Sequence, residues 1–325
     1  MYYAPYLSFV VVGRNDNYGG DFLHRINVFV KVLLTLCEKY ELLSELIIVE
    51  WNPPQDREHL KDAISWPEIR RKCCQVRIIK VPNEIHKKLP NPANLFLFEY
   101  IGKNVGIRRA KGEYILVTNP DIIFGEELIR FLSQKKLQPD YFYRINKYDV
   151  KSLVPYDVPV EKQLEYCAKN IIRVCGYLCT YEYKFDKKIK IFKKLIRSFV
   201  SHIKQRIMNF PLPPAHINAS GDFFLMHSNN WSKLRGYPEL ETMGKSHRID
   251  GLMVFLAQFS GLKQKILKKP MLIYHQDHGR LEGDEKPMSL AVKEAYQRLL
   301  HERKPIIFNN ENYGLGDIDL PEEVL

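Results

Sequence analysis

No stretch of this sequence stays apolar for the roughly 18–20 residues that a membrane-spanning helix needs. The best run, INVFVKVLLTLC from Ile26 to Cys37, is interrupted by Lys31. The opening MYYAPYLSFVVVG has no basic leader and only a short apolar run, so a cleaved secretion signal is not expected. Cysteine is sparse. The six residues, Cys37, Cys73, Cys74, Cys167, Cys175 and Cys179, contain no matched CxxC pairs. That argues against a zinc site, and reduced thiols in a cytoplasmic setting are the expectation. Internal repeats and low-complexity tracts are missing as well. Acidic residues are in deficit, 38 against 49 Lys and Arg, which leaves a formal net charge of +11. The surplus favours anionic partners: nucleotides, nucleic acid or a membrane surface.

What is present is the profile of a globular protein with a sizeable core: 325 residues, 45% hydrophobic and 27% charged. Leu7 to Val12 (LSFVVV), Leu46 to Val49 (LIIV), Val76 to Val81 and Tyr114 to Val117 read as buried strands. Between them, Asp21 to Tyr40 and Leu95 to Ala110 read as helices; in the first, Phe22, Ile26, Phe29, Val30, Leu33 and Leu34 recur at helical spacing. Strands alternating with helices predict an α/β fold with a mostly parallel, doubly wound sheet. In such sheets ligands bind beyond the carboxyl ends of the strands. Polar residues stand at those ends here: Arg14-Asn15-Asp16, Glu50 and Asn119-Pro120-Asp121.

The middle of the chain differs. Lys184 to Phe210 (KFDKKIKIFKKLIRSFVSHIKQRIMNF) is densely basic, with Ile189, Phe192, Ile196, Phe199, Ile203 and Ile207 at steps of three or four. This pattern predicts a cationic amphipathic helix. Such a helix can lie in an anionic membrane interface, pack on the core with a solvated lysine face, or touch nucleic acid. No recognised nucleic-acid motif supports the last. After the Pro211-Leu212-Pro213-Pro214 break come a strand-like patch (Gly221 to Met226), helices at Ser228 to Leu234 and Ile249 to Phe259, and a last apolar strand (Met271 to Tyr274) leading into His275-Gln276-Asp277-His278.

One stretch poses a specific question. EYILVTNPDIIF, Glu113 to Phe124, is an apolar strand that stops at Asn119-Pro120-Asp121 and then resumes. Asn-Pro-Asp is an ordinary turn tripeptide, yet a carboxylate at a strand tip is also what a metal–phosphate site requires. The block KNVGIRRAKGEYILVTNPD, with Asn104, Gly106, Ala110, Gly112 and Glu113-Tyr114, resembles the lead into the metal-binding strand end of the family 2 glycosyltransferases of GT-A fold. FVVVGRND, ELIIVEWN, GDFFLMHSNNWSKLRGYPE and HRIDGLMVFLAQFSG followed by IYHQDH extend the resemblance from Leu7 to His278. Many members carry Asp-x-Asp where this chain has Asn-Pro-Asp, a variant found in a rhamnosyltransferase-like subset. Asp250 opens a helix of the family's spacing, but Ile249 stands where the family has Glu.

The resemblance implies a GT-A fold and a hexosyl- or pentosyltransferase acting with inversion. Its donor would be a UDP- or dTDP-sugar, its acceptor a glycan or lipid-linked saccharide, and its cofactor Mn²⁺ or Mg²⁺. Asp121 would be the direct metal ligand, with His275 or His278 completing the shell. Asn119 would contact ribose or a metal-bound water. Asn15, Asp16 and Glu50 would face the base and ribose; the bland alternative is a solvated strand end. Asn104 belongs to the motif, and Arg108 or Arg109 would reach the diphosphate unless they form an ordinary basic helix face. Asp250 would be the general base, with a helix cap as the other reading of an Asp there; Asp222 is the runner-up. Trp231 and Tyr237 would stack on an acceptor sugar or sit in the core.

The expected organisation is a nucleotide-sugar half at 1–150, a basic helical insertion at 151–215, an acceptor half at 216–280, and a C-terminal helix and tail at 281–325. The expected location is cytoplasmic, with 184–210 either packed on the core or lying against an anionic membrane surface, and no nucleic-acid partner is expected. A non-catalytic GT-A-fold nucleotide or glycan binder is the alternative. A nucleotidyltransferase ranks low, because VVVGRNDNYGG lacks that class's Gly-rich, Lys/Arg-bearing phosphate loop.

Overall fold

A computed structural model describes residues 4–69, 72–90, 92–93, 95–151, 153–174, 177–178, 215–240, 248–279 and 289–325. The expected amphipathic helix at 184–210 lies outside the described residues. The first half runs β1 (Leu7–Gly13), α1 (Phe22–Lys39), β2 (Ser44–Trp51), a short α2 (Leu60–Ala63), β3 (Cys74–Val81), α3 (Asn83–Lys88), α4 (Glu99–Arg109), β4 (Tyr114–Thr118) and β5 (Ile122–Phe124). Then follow α5 (Glu126–Ser133), β6 (Tyr141–Ile145), β7 (Lys147–Val150), α6 (Val160–Lys169), β8 (Ile171–Val174) and β9 (Tyr177–Leu178). The last part holds β10 (Phe223–His227), α7 (Ser228–Leu234), α8 (Ile249–Phe259), β11 (Lys263–Leu267), β12 (Ile273–Gln276), α9 (Leu290–Glu302) and β13 (Glu322–Val324). Among the described residues no helix is long and apolar enough to cross a membrane.

The fold is mixed α/β, with a large central sheet flanked by helices, as the strand–helix alternation predicts. Its eight strands lie in the order β11-β6-β10-β4-β1-β2-β3-β13. β1 is buried along its whole length and, Ser8 apart, apolar, because both of its faces are covered. Leu7, Phe9 and Val11 enter one apolar layer with Ile26, Phe29 and Leu33 of α1. Val10 and Val12 enter the other with Ile101 and Val105 of α4. The period of two along β2 and β4 divides their side chains in the same way.

The sheet is less uniformly parallel than expected. β4, β1, β2 and β3 are parallel neighbours, but β10 inserts antiparallel between β4 and β6, and β13 runs antiparallel to β3 on the edge. A second sheet, in the order β5-β12-β7-β8-β9, takes up the apolar run after Asp121 as β5 and the expected last strand as β12, and adds β7, β8 and β9, which the sequence did not disclose. The break in EYILVTNPDIIF is the passage between sheets. β4 ends in the large sheet and β5 begins in the small one, with the Ile122 amide donating to Asn119 O (3.2 Å) across the turn.

A buried acid ties the parallel strands together. Glu45 of β2 accepts from Ser8 Oγ of β1 (2.5 Å), from Arg77 Nη1 of β3 (2.7 Å) and from the Lys111 amide that leads into β4 (2.5 Å). Arg77 also grips Glu322 of β13 with two nitrogens, at 2.6 and 3.0 Å. The Glu45 and Arg77 side chains are 2% and 3% exposed, and removing one partner of such a pair strands the other charge in the interior. Glu45→Ala should therefore lower unfolding free energy by about 3–5 kcal/mol in urea titrations; a loss below about 1 kcal/mol would show that the pair is not structural.

Candidate functional site

The parallel strands deliver their C-terminal ends to one edge of the sheet, and Asp121 stands there. Thr118 Oγ1 donates to Asp222 O (2.7 Å), joining β4 to the turn before β10. Asp121 follows just before β5. β12 lies antiparallel to β5, with His275 opposite Ile122, and the Gln276 amide donates to Asp121 O (3.1 Å). His278 comes from the chain just past β12. As a result His275 Nε2 and His278 Nε2 lie 3.7 and 3.2 Å from Asp121 Oδ2.

One ligand atom from each of Asp121, His275 and His278 falls within 4.8 Å of the others. Asp121 Oδ1 is buried and has no hydrogen-bond partner among the described residues. A buried carboxylate oxygen without a donor is costly, and a cation is the group that would satisfy it. One carboxylate and two imidazoles form a donor set that suits a divalent transition ion. Burial alone would raise the Asp121 carboxyl, but His275, His278 and Arg25 outweigh it and hold it at about 2. Burial likewise works against His275 protonation, and Asp121 and Asp149 overcome it, so its pKa is raised.

The loop after β1 forms one wall. Arg25 of α1 donates to Gly20 O and to Tyr18 O, fixing the turn. Gly19 has φ +69°, and a Cβ there would lie 2.4 Å from His278 Nδ1. Glycine thus lets the loop close on the imidazole, and the Gly279 amide donates to Gly19 O (3.1 Å). Tyr18 meets His278 edge-on, with centroids 5.6 Å apart.

Behind the cluster runs a chain of ion pairs and charge-assisted hydrogen bonds. Asp149 Oδ1 lies 2.9 Å from His275 Nδ1. Lys147 Nζ is 3.7 Å from Asp149 Oδ1 and 2.8 Å from Asp222 Oδ2. Asn119 Nδ2 donates to Asp222 Oδ1 (3.0 Å), while its own Oδ1 accepts from Lys103 Nζ (2.9 Å). Lys103 also donates to Glu99 and to Gly221 O, at 2.5 and 3.1 Å. Despite its burial the Asp222 carboxyl is lowered, chiefly by Lys147. Asp250 lies one turn away, with Ser220 Oγ donating to its Oδ2 (2.5 Å). The fully buried Arg144 props that turn by donating to Asn218 O (2.8 Å).

Asn119, Asp121, Asp222 and His275 thus come together, and Asp250 adjoins them through residues 220–222. Asn15 and Asp16 sit at the end of β1. Asn15 Nδ2 donates to Glu58 O (2.9 Å), and Asp16 accepts from Arg14 (2.8 Å) and from the Tyr18 amide (3.1 Å). Glu50 accepts from the Leu60 amide (2.7 Å) at the start of α2 and from His59 Nδ1 (3.0 Å). Asn104 is buried, holding the Tyr237 amide and carbonyl (2.7 and 2.8 Å) and Glu239. Arg108 donates to Glu311 O (2.7 Å), and Arg109 to three carbonyls of the tail, those of Gly314, Leu315 and Ile318. Trp231 and Tyr237 are core residues. Asp250 lies within the first turn of α8, whose cap is Arg248. Sequence reasoning passed over Lys103, Lys147 and Asp149. The signal for the last two is the alternation in KYDV, which sends Lys147 and Asp149 to one face and Tyr148 and Val150 to the other.

No family model matches the chain, and no curated protein matches it. Among solved structures, two crystal structures of S. aureus TarS are similar. One covers 83% of this chain and 36% of that chain, at 10% identity and a TM-score of 0.41. The other, of TarS 1–349, covers 83% and 60%, at 14% identity and a TM-score of 0.43. This chain therefore spans only part of either, and no residue role is carried over from them.

The opposed shifts of Asp121 and His275 give a pH test on the metal-free chain. The stability contributed by a depressed carboxyl is present above its ordinary value of 3.8 and lost as pH falls toward about 2. That contributed by a raised imidazole is present below its ordinary 6.5 and lost as pH climbs through the raised value. Wild type should thus exceed Asp121→Asn in melting temperature most between pH 3.8 and 6.5. A margin independent of pH would count against the coupling.

Proposed function

We propose that this chain is a metal-dependent, inverting glycosyltransferase of GT-A fold. It takes a sugar from a nucleoside diphosphate donor, of the UDP- or dTDP-sugar class, and passes it to a glycan or lipid-linked saccharide. The observation that carries the reading is the buried Asp121 carboxylate at the sheet's C-terminal edge, facing two imidazoles with one oxygen unpartnered among the described residues. Asp121, His275 and His278 would hold the ion, and the two nitrogen donors favour Mn²⁺ over Mg²⁺. A divalent ion held there supplies charge neutralisation for a departing nucleoside diphosphate. The strand ends of residues 1–150 form the donor side, and residues 216–280 the acceptor side.

Inversion asks one carboxylate to take the proton of the acceptor hydroxyl as its oxygen bonds to the anomeric carbon. The bond from that carbon to the phosphate oxygen breaks, and the nucleoside diphosphate leaves with the electron pair. Asp250 suits the base role better than Asp222. Both Asp222 oxygens are engaged, by Asn119 and Lys147. Asp250 is half-buried, and Ser220 occupies its Oδ2, leaving Oδ1 without a hydrogen-bond partner among the described residues. Lys147 and Asn119 then keep Asp222 a fixed anion that orders the turn between the two centres.

A screen of UDP- and dTDP-sugars with Mn²⁺ should show nucleotide release that EDTA abolishes and that Asp121→Ala reduces to background. Release that persists in EDTA and in Asp121→Ala would overturn the metal reading. Asp250→Asn should lower kcat by about 10²–10⁴-fold with nucleotide affinity unchanged; an unchanged rate would move the base role to Asp222.

A further inference from the structure

Asp149 makes contacts that the proposed transfer does not use. It lies on β7 opposite His275 of β12, the two being paired residues of parallel strands. Their side chains therefore rise on one face at the same level. Asp149 Oδ2 accepts from Arg173 Nε of β8 (2.9 Å), and Lys147 Nζ stands 3.7 Å from Oδ1. These cations keep the side chain a carboxylate, which offers hydrogen-bond acceptors only. The 2.9 Å contact between Asp149 Oδ1 and His275 Nδ1 therefore places an imidazole proton on Nδ1. In the neutral ring, Nε2 is left with its lone pair on the side of Asp121 Oδ2, 3.7 Å away. The other neutral tautomer would set an N–H there and face a lone pair against the Asp149 carboxylate.

We propose that Asp149 is a positioning residue that fixes the tautomer and ring plane of His275, so that Nε2 is presented as a metal donor. The inference rests on the metal reading of Asp121, His275 and His278 given above. A hydrogen-bonded partner on the second nitrogen is how a metal-bound histidine is oriented and its basicity raised. The competing role for the same side chain is a tie between β7 and β8, since Asp149 and Arg173 are also paired in register.

Nitrogen-15 NMR of the imidazoles in the metal-free full chain, at a pH above the titration of His275, reads the tautomer directly. The His275 signal is assigned by its absence in His275→Gln. Calorimetry with Mn²⁺ alone reads the site. Wild-type His275 should carry its proton on Nδ1. Asp149→Asn should keep that form, because the amide oxygen still accepts the Nδ1 proton, and should bind Mn²⁺ more tightly than Asp149→Ala. Asp149→Ala should release the tautomer and weaken Mn²⁺ binding by about 10–100-fold. Arg173→Gln cuts the tie to β8 but leaves Asp149 in place, and both readouts should stay as in wild type.

A wild-type His275 protonated on Nε2, or an alanine variant with wild-type Mn²⁺ affinity, overturns the inference. If the alanine variant does not fold, Arg173→Gln decides: an unchanged tautomer and affinity support positioning, and loss of both supports the structural tie. If wild type binds no Mn²⁺, the metal reading of the cluster fails, while the imidazole spectra still decide whether Asp149 sets the tautomer.

Discussion

The chain passes from the large sheet into the small one between β4 and β5, and the rest of the site depends on how that passage is made. A strand leaving a sheet exposes backbone amides and carbonyls that must find partners. Here the turn bonds to itself through the Ile122 amide and Asn119 O, and the Asp121 carbonyl accepts from the Gln276 amide of β12. The side chains at the seam therefore come from three sources at once: the end of β4, the turn before β10, and β12 with its exit. None of them is adjacent in sequence to the others. The fold brings together Asp121, His275, His278 and Asp222 because β10 pairs with β4 on one side of this crossing and β12 pairs with β5 on the other.

Charge at the seam is largely compensated. Asp149 is held by Arg173, Lys147 and His275, and Asp222 by Lys147 and Asn119. Taking a carboxylate out of water costs several kcal/mol unless such partners are supplied. Asp121 differs in one respect: both imidazoles gather around Oδ2, and Oδ1 has no donor among the described residues. Of the three acids, then, one is left incompletely satisfied within an otherwise preorganised set. The proposed metal role rests on that asymmetry, since charge-neutralising chemistry needs donors fixed in this way before a ligand arrives.

The strand–helix alternation and the polar strand ends were legible in the sequence, and Asn119, Asp121, Asp222 and His275 do meet. The fate of the other polar residues was not legible, because it turns on segments that fold back from far along the chain. Glu50 is taken up by His59 and the start of α2, Asn104 by Tyr237 and Glu239, and Arg108 and Arg109 by the tail at 311–318. Of the second sheet, β7 and β8 escaped notice because they are short and carry charge: KYDV contributes Lys147 and Asp149, and IIRV contributes Arg173. A charged residue in a short strand lowers its apolar signal at the very positions where the site is built.

The same geometry accounts for asparagine at the first position of Asn-Pro-Asp. Position 119 faces Asp222 Oδ1 at 3.0 Å on one side and Lys103 Nζ at 2.9 Å on the other. It therefore needs a donor and an acceptor on one short side chain, and the amide supplies both. An aspartate there would satisfy Lys103 but set two carboxylate oxygens against each other at Asp222, within a seam that already buries three acids. Lys103 is itself buried and engaged with Glu99 and Gly221 O, so it has no further charge to offer. With the amide in place, negative charge at the tip of β4 is confined to Asp121, and the two histidines rather than a second acid complete the cluster.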